Sequence, residues 1–147
     1  MRLPDEAVLA AEMMAGSEPW RTLRRDREAC LKTLLDPARE IHAATTRGNL
    51  VGVLALHLAG LLNGYIAAVA VHPDWRCRGL GTRLVQFAEE RIFRQSPNVF
   101  LCVSSFNEHA QRLYARLGYE RVGELRDYAV RGHGEILMRK TKGPWQE

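Results

Sequence analysis

Residues 50–71, LVGVLALHLAGLLNGYIAAVAV, carry no formal charge over roughly the length that a bilayer-spanning helix requires. Such a run is either one helix in lipid or two buried strands joined by a turn. His57, Asn63 and the glycines at 52, 60 and 64 count against the helix. AGLLNG supplies a turn in which Gly60 and Gly64 give permissive backbone, and the flanking valine, leucine, isoleucine and alanine are the residues of buried strands. The stretch therefore reads as two strands, the second over about 64–71, in a sheet that needs cover on both faces.

The cover comes from the rest of the chain. Residues 5–15 place Val8, Leu9 and Met13 on one helical side, and PWRTLRRDREACLKTLLD offers a second amphipathic helix ending near Asp36, before Pro37. REIHAATTRGNLVGVLALHLAG reads as a hairpin turning at Arg47, Gly48 and Asn49. After Gly81 the period changes: Leu80, Leu84, Ala88 and Ile92 recur four apart, with Glu89, Glu90, Arg91 and Arg94 at solvent-compatible positions, which predicts a helix over 80–94. NVFLCVS is the next strand. Ser105 or Asn107 can cap a further helix that carries Leu113, Tyr114 and Leu117 and stops at Gly118. The end, GYERVGELRDYAVRGHGEILMRK, reads as two strands joined by a glycine-containing loop. The expected fold is α/β in the α+β sense, with a mixed sheet flanked by helices. No linker or repeat divides residues 1–147, which points to a single domain.

With 46% hydrophobic and 26% charged residues, a full core can form, and the formal charge of +4 favours anionic partners in general without pointing to nucleic acid. Cys30, Cys77 and Cys102 make no CxxC pair and lack the histidine spacing of a zinc site, so free thiols in the cytoplasm are expected and no metal. Asp5, Glu6 and Glu12 interrupt the apolar N-terminal stretch, unlike a secretory signal. Neither export nor a membrane partner is expected.

WRCRGLGTRL, residues 75–84, crowds Arg76, Arg78 and Arg83 with Gly79 and Gly81 just where the strand YIAAVAV ends and a helix begins. A strand giving way to a glycine-rich turn and a helix N-terminus aims unpaired N–H groups at an anion, and the glycines let backbone approach it closely. Arg83 in the first turn opposes the helix dipole by about 0.3–1 kcal/mol unless an anion sits there. Two common phosphate loops fail on spacing. A Walker A loop from Gly79 needs lysine at position 85, which is Val85, and a dinucleotide fingerprint needs glycine at 84, which is Leu84.

A second stretch, VSSFNEHAQRLYARLGYE at 103–120, runs from a strand end through a capped helix to a glycine stop. Together with VHPDWRCRGLGTRL it closely resembles the GNAT superfamily of acyl-CoA-dependent N-acyltransferases, over about residues 50–139. The resemblance implies a seven-stranded, mostly antiparallel mixed sheet, sometimes reduced at its first strand, with acetyl-CoA where two parallel central strands splay. Here those strands end at Val71 and Val103, and the cofactor-binding part spans about 64–118. The family's R/Q-x-x-G-x-G/A pattern falls on Arg76, Gly79 and Gly81, so the resemblance makes the main chain of Cys77, Arg78, Gly79, Leu80, Gly81 and Thr82 the pyrophosphate cradle. It places Val69 and Val71 against the pantetheine, Asn107 near the cofactor arm and Tyr114 near the sulfur. The chain departs from the pattern at Met1, which leaves little room for the first strand.

Acetyl transfer to an amine needs a deprotonated nitrogen, a positioned thioester and a proton for the departing thiolate. Tyr114 can supply that proton, although its position alone also suits a half-buried aromatic with a satisfied hydroxyl. Some peptide N-terminal acetyltransferases of the superfamily carry a glutamate five residues before the motif asparagine, where this chain has Cys102. Without a histidine partner Cys102 reads as a small buried strand residue rather than a nucleophile. Glu18, Glu135 and His133 are the substitutes for the base, and His57 and His72 are weaker choices. The expected function is N-acetyl transfer from acetyl-CoA to a primary amine by direct attack in a ternary complex. A longer acyl donor and a non-catalytic acyl-CoA-binding regulator are the alternatives. The acceptor, a small molecule or a protein or peptide, and the choice between monomer and homodimer stay open.

Overall fold

The computed structural model describes residues 4–146. Its elements are α1 (Pro4–Ala15), α2 (Arg27–Leu35), β1 (Glu40–Thr46), β2 (Asn49–His57), β3 (Tyr65–Val71), α3 (Leu80–Phe93), β4 (Asn98–Ser104), α4 (Glu108–Arg116), β5 (Glu120–Leu125) and β6 (Glu135–Thr141). The described residues form a six-stranded sheet in the order β1-β2-β3-β4-β6-β5, antiparallel except for β3 beside β4. A seventh strand is not among them, since the first described element is α1; Met1 lies outside the described residues.

The uncharged stretch is β2 from Leu50 onward, a loop and β3. β2 is buried without interruption from Val51 to Leu56 because both of its faces are covered. Leu54 and Leu56 pack with α3 residues Leu84, Val85, Ala88 and Ile92, whereas Val53 and Ala55 pack with Ala10, Ala11 and Met14 of α1 and Cys30 and Leu34 of α2. Among the described residues no helix is long and apolar enough to cross a membrane. The β1–β2 turn takes positive φ at Arg47 (50°) and Gly48 (79°), as a two-residue hairpin requires.

Three expectations need correction. The buried face of α1 is centred on Ala7, Ala10, Ala11 and Met14, with Met13 packed at its edge, whereas Val8 is half-buried and Leu9 exposed. Small alanines let the helix approach the sheet closely, so size outweighs hydrophobicity in choosing the face. The helix read over 19–36 is divided. Glu18 accepts hydrogen bonds from the Thr22 N–H and hydroxyl, Arg24 takes φ 57°, and α2 begins only after Asp26 caps Ala29 N–H at 2.9 Å.

Glu89 is the third correction, being buried rather than solvent-facing. Its Oε2 accepts from the Tyr119 hydroxyl at 2.9 Å and its Oε1 lies 3.0 Å from Lys140 Nζ, tying α3 to β6 and to the start of β5. Removing one partner of a buried pair strands the other charge. Lys140→Met is therefore expected to lower the unfolding free energy by about 2 kcal/mol in urea titrations, Tyr119 retaining part of the carboxylate's solvation. Arg112→Met, which breaks only the exposed 3.9 Å pair with Glu108, is expected to cost less than about 0.5 kcal/mol.

Candidate active site

The site begins as an irregularity in β3. In its antiparallel ladder Ala68 faces Ala55 and Ile66 faces Leu56, so Ala67 is an extra residue, a β-bulge. Beyond it the strand changes face: Ile66 packs into the α3 core, and Ala68 and Ala70 into the α1–α2 core. Parallel pairing with β4 stops at the same place, with only Tyr65↔Phe100 and Ile66↔Leu101 in register. From there the two strands diverge around a cavity of about 810 Å³.

At one end of the cavity stands the glycine turn. Gly79 caps α3 with φ 80° and offers no side-chain cap, and Cys77 also takes positive φ, 60°. Among the described residues nothing accepts a hydrogen bond from the backbone N–H groups of residues 77–82; the first bonded amide of the helix is Arg83, to Gly79. Six consecutive free donors at a helix N-terminus could hold a diphosphate. Above Gly81 an added Cβ would meet only Val71 Cγ2 at 3.9 Å and Leu113 Cδ2 at 4.0 Å, so the approach to the cradle is open.

Arg76, Cys77, Gly79, Leu80, Gly81 and Thr82 line this cavity, and so do Val69 and Val71. Arg78 is not on the wall; its guanidinium lies 4.9 Å from the centroid of the Trp75 ring. Asn107 lines the cavity as well, but its side chain is engaged as the α4 cap, accepting from Ala110 N–H at 3.2 Å.

Tyr114 projects from α4 into the cleft, half-buried, and packs edge-on against Tyr119 with ring centroids 5.8 Å apart. Burial pushes its phenol up to about 12, so the hydroxyl keeps its proton at neutral pH. Along the opposite face of the sheet, Tyr65 of β3, Cys102 and Ser104 of β4 and Glu135 of β6 come together on the cavity wall. Burial, then the neighbouring Cys102 thiol, raise Tyr65 far above an ordinary phenol. Cys102 is raised chiefly by burial. Burial likewise raises Glu135, with the Ser104 side chain acting in the opposite sense.

Glu18 reaches the cavity from the α1–α2 connection, with both carboxylate oxygens engaged by Thr22. His133 does not reach it and stacks edge-on with Phe106 at 4.9 Å. His57 is not on the wall either, and His72 Nδ1 accepts from Asp74 N–H at 3.1 Å. Sequence reasoning missed Tyr65 and Ser104. Their signal was the strand ends themselves, since a polar residue closing an apolar run beside a splay faces the gap.

An anion cradle, strands that part beside it and a protonated phenol between them suit an enzyme that holds a diphosphate-bearing thioester and moves its acyl group. The acetyltransferase (GNAT) family model matches residues 6–119, and the chain belongs to that family. It is accordingly an acyl-CoA-dependent N-acyltransferase whose reaction is N-acetyl transfer. The chain is 30% identical over 141 residues to the N-alpha-acetyltransferase RimI of Mycobacterium tuberculosis, an alignment covering 93% of this chain and 85% of that protein. In fold it resembles the ribosomal-protein-S18-alanine N-acetyltransferase of Escherichia coli, with a TM-score of 0.74, 19% identity and coverage of 100% and 95%. An aminoglycoside 6'-N-acetyltransferase solved with coenzyme A is equally similar, at TM-score 0.74, 20% identity and coverage of 98% and 93%.

Proposed function

We propose that the protein transfers the acetyl group of acetyl-CoA to a primary amine by direct attack, with both substrates bound together. The observation that carries this reading is the row of free N–H groups at 77–82 opening onto the gap between β3 and β4. The diphosphate lies on that row, with the Arg76 side chain beside it. The pantetheine runs along Val69 and Val71 past Asn107. The thioester then comes to rest between Tyr114, which protonates the leaving sulfur, and the Tyr65, Cys102 and Glu135 side of the cleft, from which the amine arrives. The N-alpha-acetyltransferase relative makes a peptide α-amine the first acceptor to try. All three cysteines are free thiols, which fits a single domain working in the cytoplasm.

The test is a calorimetric titration of acetyl-CoA followed by a thiol-release screen over peptides, lysine, polyamines and amino sugars. Arg76→Gln is expected to raise the dissociation constant about tenfold, the worth of one charge-assisted contact. Arg78→Gln should weaken binding less, because its guanidinium lies over Trp75. Unchanged constants in folded Arg76→Gln protein would remove the cradle. Donors with longer acyl chains, compared in the same screen, fix the acyl preference.

A further inference from the structure

We propose that Glu135, at the start of β6, is the base that frees the acceptor nitrogen. The inference rests on the acetyl-transfer reading above and adds to it the group that takes the proton.

Glu135 opens β6 and is paired directly with Ser104, the last residue of β4. Side chains of cross-strand partners share a face, and positions two apart on one strand share it too. Cys102 and Glu135 therefore stand on the same side of the sheet as diagonal neighbours, both on the cavity wall. A carboxylate carried by either strand would reach the same part of the gap.

The Glu135 carboxylate has the Ser104 side chain beside it and one oxygen left open. Its Oε2 is fully buried and has no hydrogen-bond partner among the described residues. A buried acceptor left open costs free energy, and one that lines a substrate cavity is satisfied when a donor such as an ammonium arrives. The rival groups are spent or too weakly acidic. Glu18 is bound through both oxygens to Thr22. His133 is held against Phe106 away from the wall. Tyr65 and Cys102 are raised by burial and hold their protons at neutral pH. The same burial raises Glu135, which makes its carboxylate a better proton acceptor than an exposed one.

The proton accounting closes. The acceptor arrives as an ammonium, and Glu135 takes one proton, leaving the nitrogen lone pair free. That pair forms the N–C bond to the thioester carbonyl as the C–S bond breaks, and the departing sulfur receives the Tyr114 proton. The nitrogen's remaining surplus proton leaves through solvent, from which the Tyr114 phenolate is reprotonated. Glu135 then releases its own proton to solvent.

Two acceptor probes separate a base from a packing residue: a glycyl peptide, whose nitrogen is an ammonium at neutral pH, and the matching aminooxyacetyl peptide, whose nitrogen is already neutral. Glu135→Gln is expected to keep acetyl-CoA affinity and to slow single-turnover transfer to the glycyl peptide by about 10²-fold. The loss should shrink to under about tenfold with the aminooxy peptide, which needs no deprotonation before attack. Adding Cys102→Glu to Glu135→Gln should restore much of the glycyl rate by returning a carboxylate to the same face. An undiminished glycyl rate in Glu135→Gln, or equal losses with both peptides, overturns the assignment while wild-type transfer keeps the acetyl-transfer reading standing. Wild-type protein that acetylates neither peptide nor any amine of the screen overturns both.

Discussion

Tyr114→Phe is expected to fold, to bind acetyl-CoA about as tightly as the parent, and to slow single-turnover acetyl transfer by roughly 10²-fold or more. The substitution deletes one oxygen and keeps the ring that packs edge-on against Tyr119, so the core around it should be little disturbed. What disappears is the hydroxyl proposed to protonate the departing sulfur. Burial raises the phenol to about 12, which keeps it loaded but makes it a reluctant donor against an ordinary thiolate. The thiolate forms in the same poorly hydrated cleft, however, and desolvation raises its basicity too, so donor and acceptor move together. The measurement is a rapid-quench time course at saturating donor and acceptor, beside a titration of donor affinity. An unchanged transfer rate would make Tyr114 a packing residue and leave sulfur protonation to water.

Gly64→Ala is expected to be among the most damaging single changes in the chain, costing about 3 kcal/mol or more in denaturant unfolding. Gly64 has φ 86°, and a Cβ there would fall 2.5 Å from Ile92 Cγ2 and 2.7 Å from the Asn98 carbonyl oxygen. The backbone conformation alone costs about 1–2 kcal/mol for an L side chain. The rest comes from the collision, because Asn98 opens β4 and the Gly64 carbonyl accepts the Phe100 N–H at 2.9 Å, the bond that starts the parallel pairing. Gly48 separates the two terms: its φ is 79°, yet nothing lies within 4 Å of its Cβ position. Gly48→Ala should therefore lose only about 1 kcal/mol. Equal losses at 48 and 64 would mean that Ile92 and β4 shift freely, and the close packing at the root of the cleft would have to be discounted.

The parts of this fold that announce themselves in the residues are those governed by local chemistry. YIAAVAV and NVFLCVS are apolar, β-branched and bounded by breakers, and they are strands. Asn107 caps α4 through its side chain, and Gly118 ends it with φ 99°. The glycine turn at the start of α3 was legible because glycine and arginine at a strand-to-helix junction have few uses. What escaped notice depends on distant partners. Glu89 looks like any surface acid until Tyr119 and Lys140 are brought to it by other elements. The alanine face of α1 is chosen by how closely the sheet lets a helix approach. Tyr65 and Ser104 line the cavity only because their strands part or end beside the gap, and Glu135 only because its strand pairs with β4.

The extra residue at Ala67 writes the cleft into the chain in an unusual form. The Ala67 side chain only lines the cavity and packs against the α1–α2 core, so exchange for another small residue is expected to leave the cleft as it was. Counting is what matters: one residue fewer leaves Ile66, Val69 and Val71 on the α3 side and Ala68 and Ala70 on the α1–α2 side, but removes the irregularity at which the parallel pairing with β4 stops, so the two strands lose their reason to part. The site is thus insensitive to drift by substitution at its own origin and vulnerable there to a single three-base deletion.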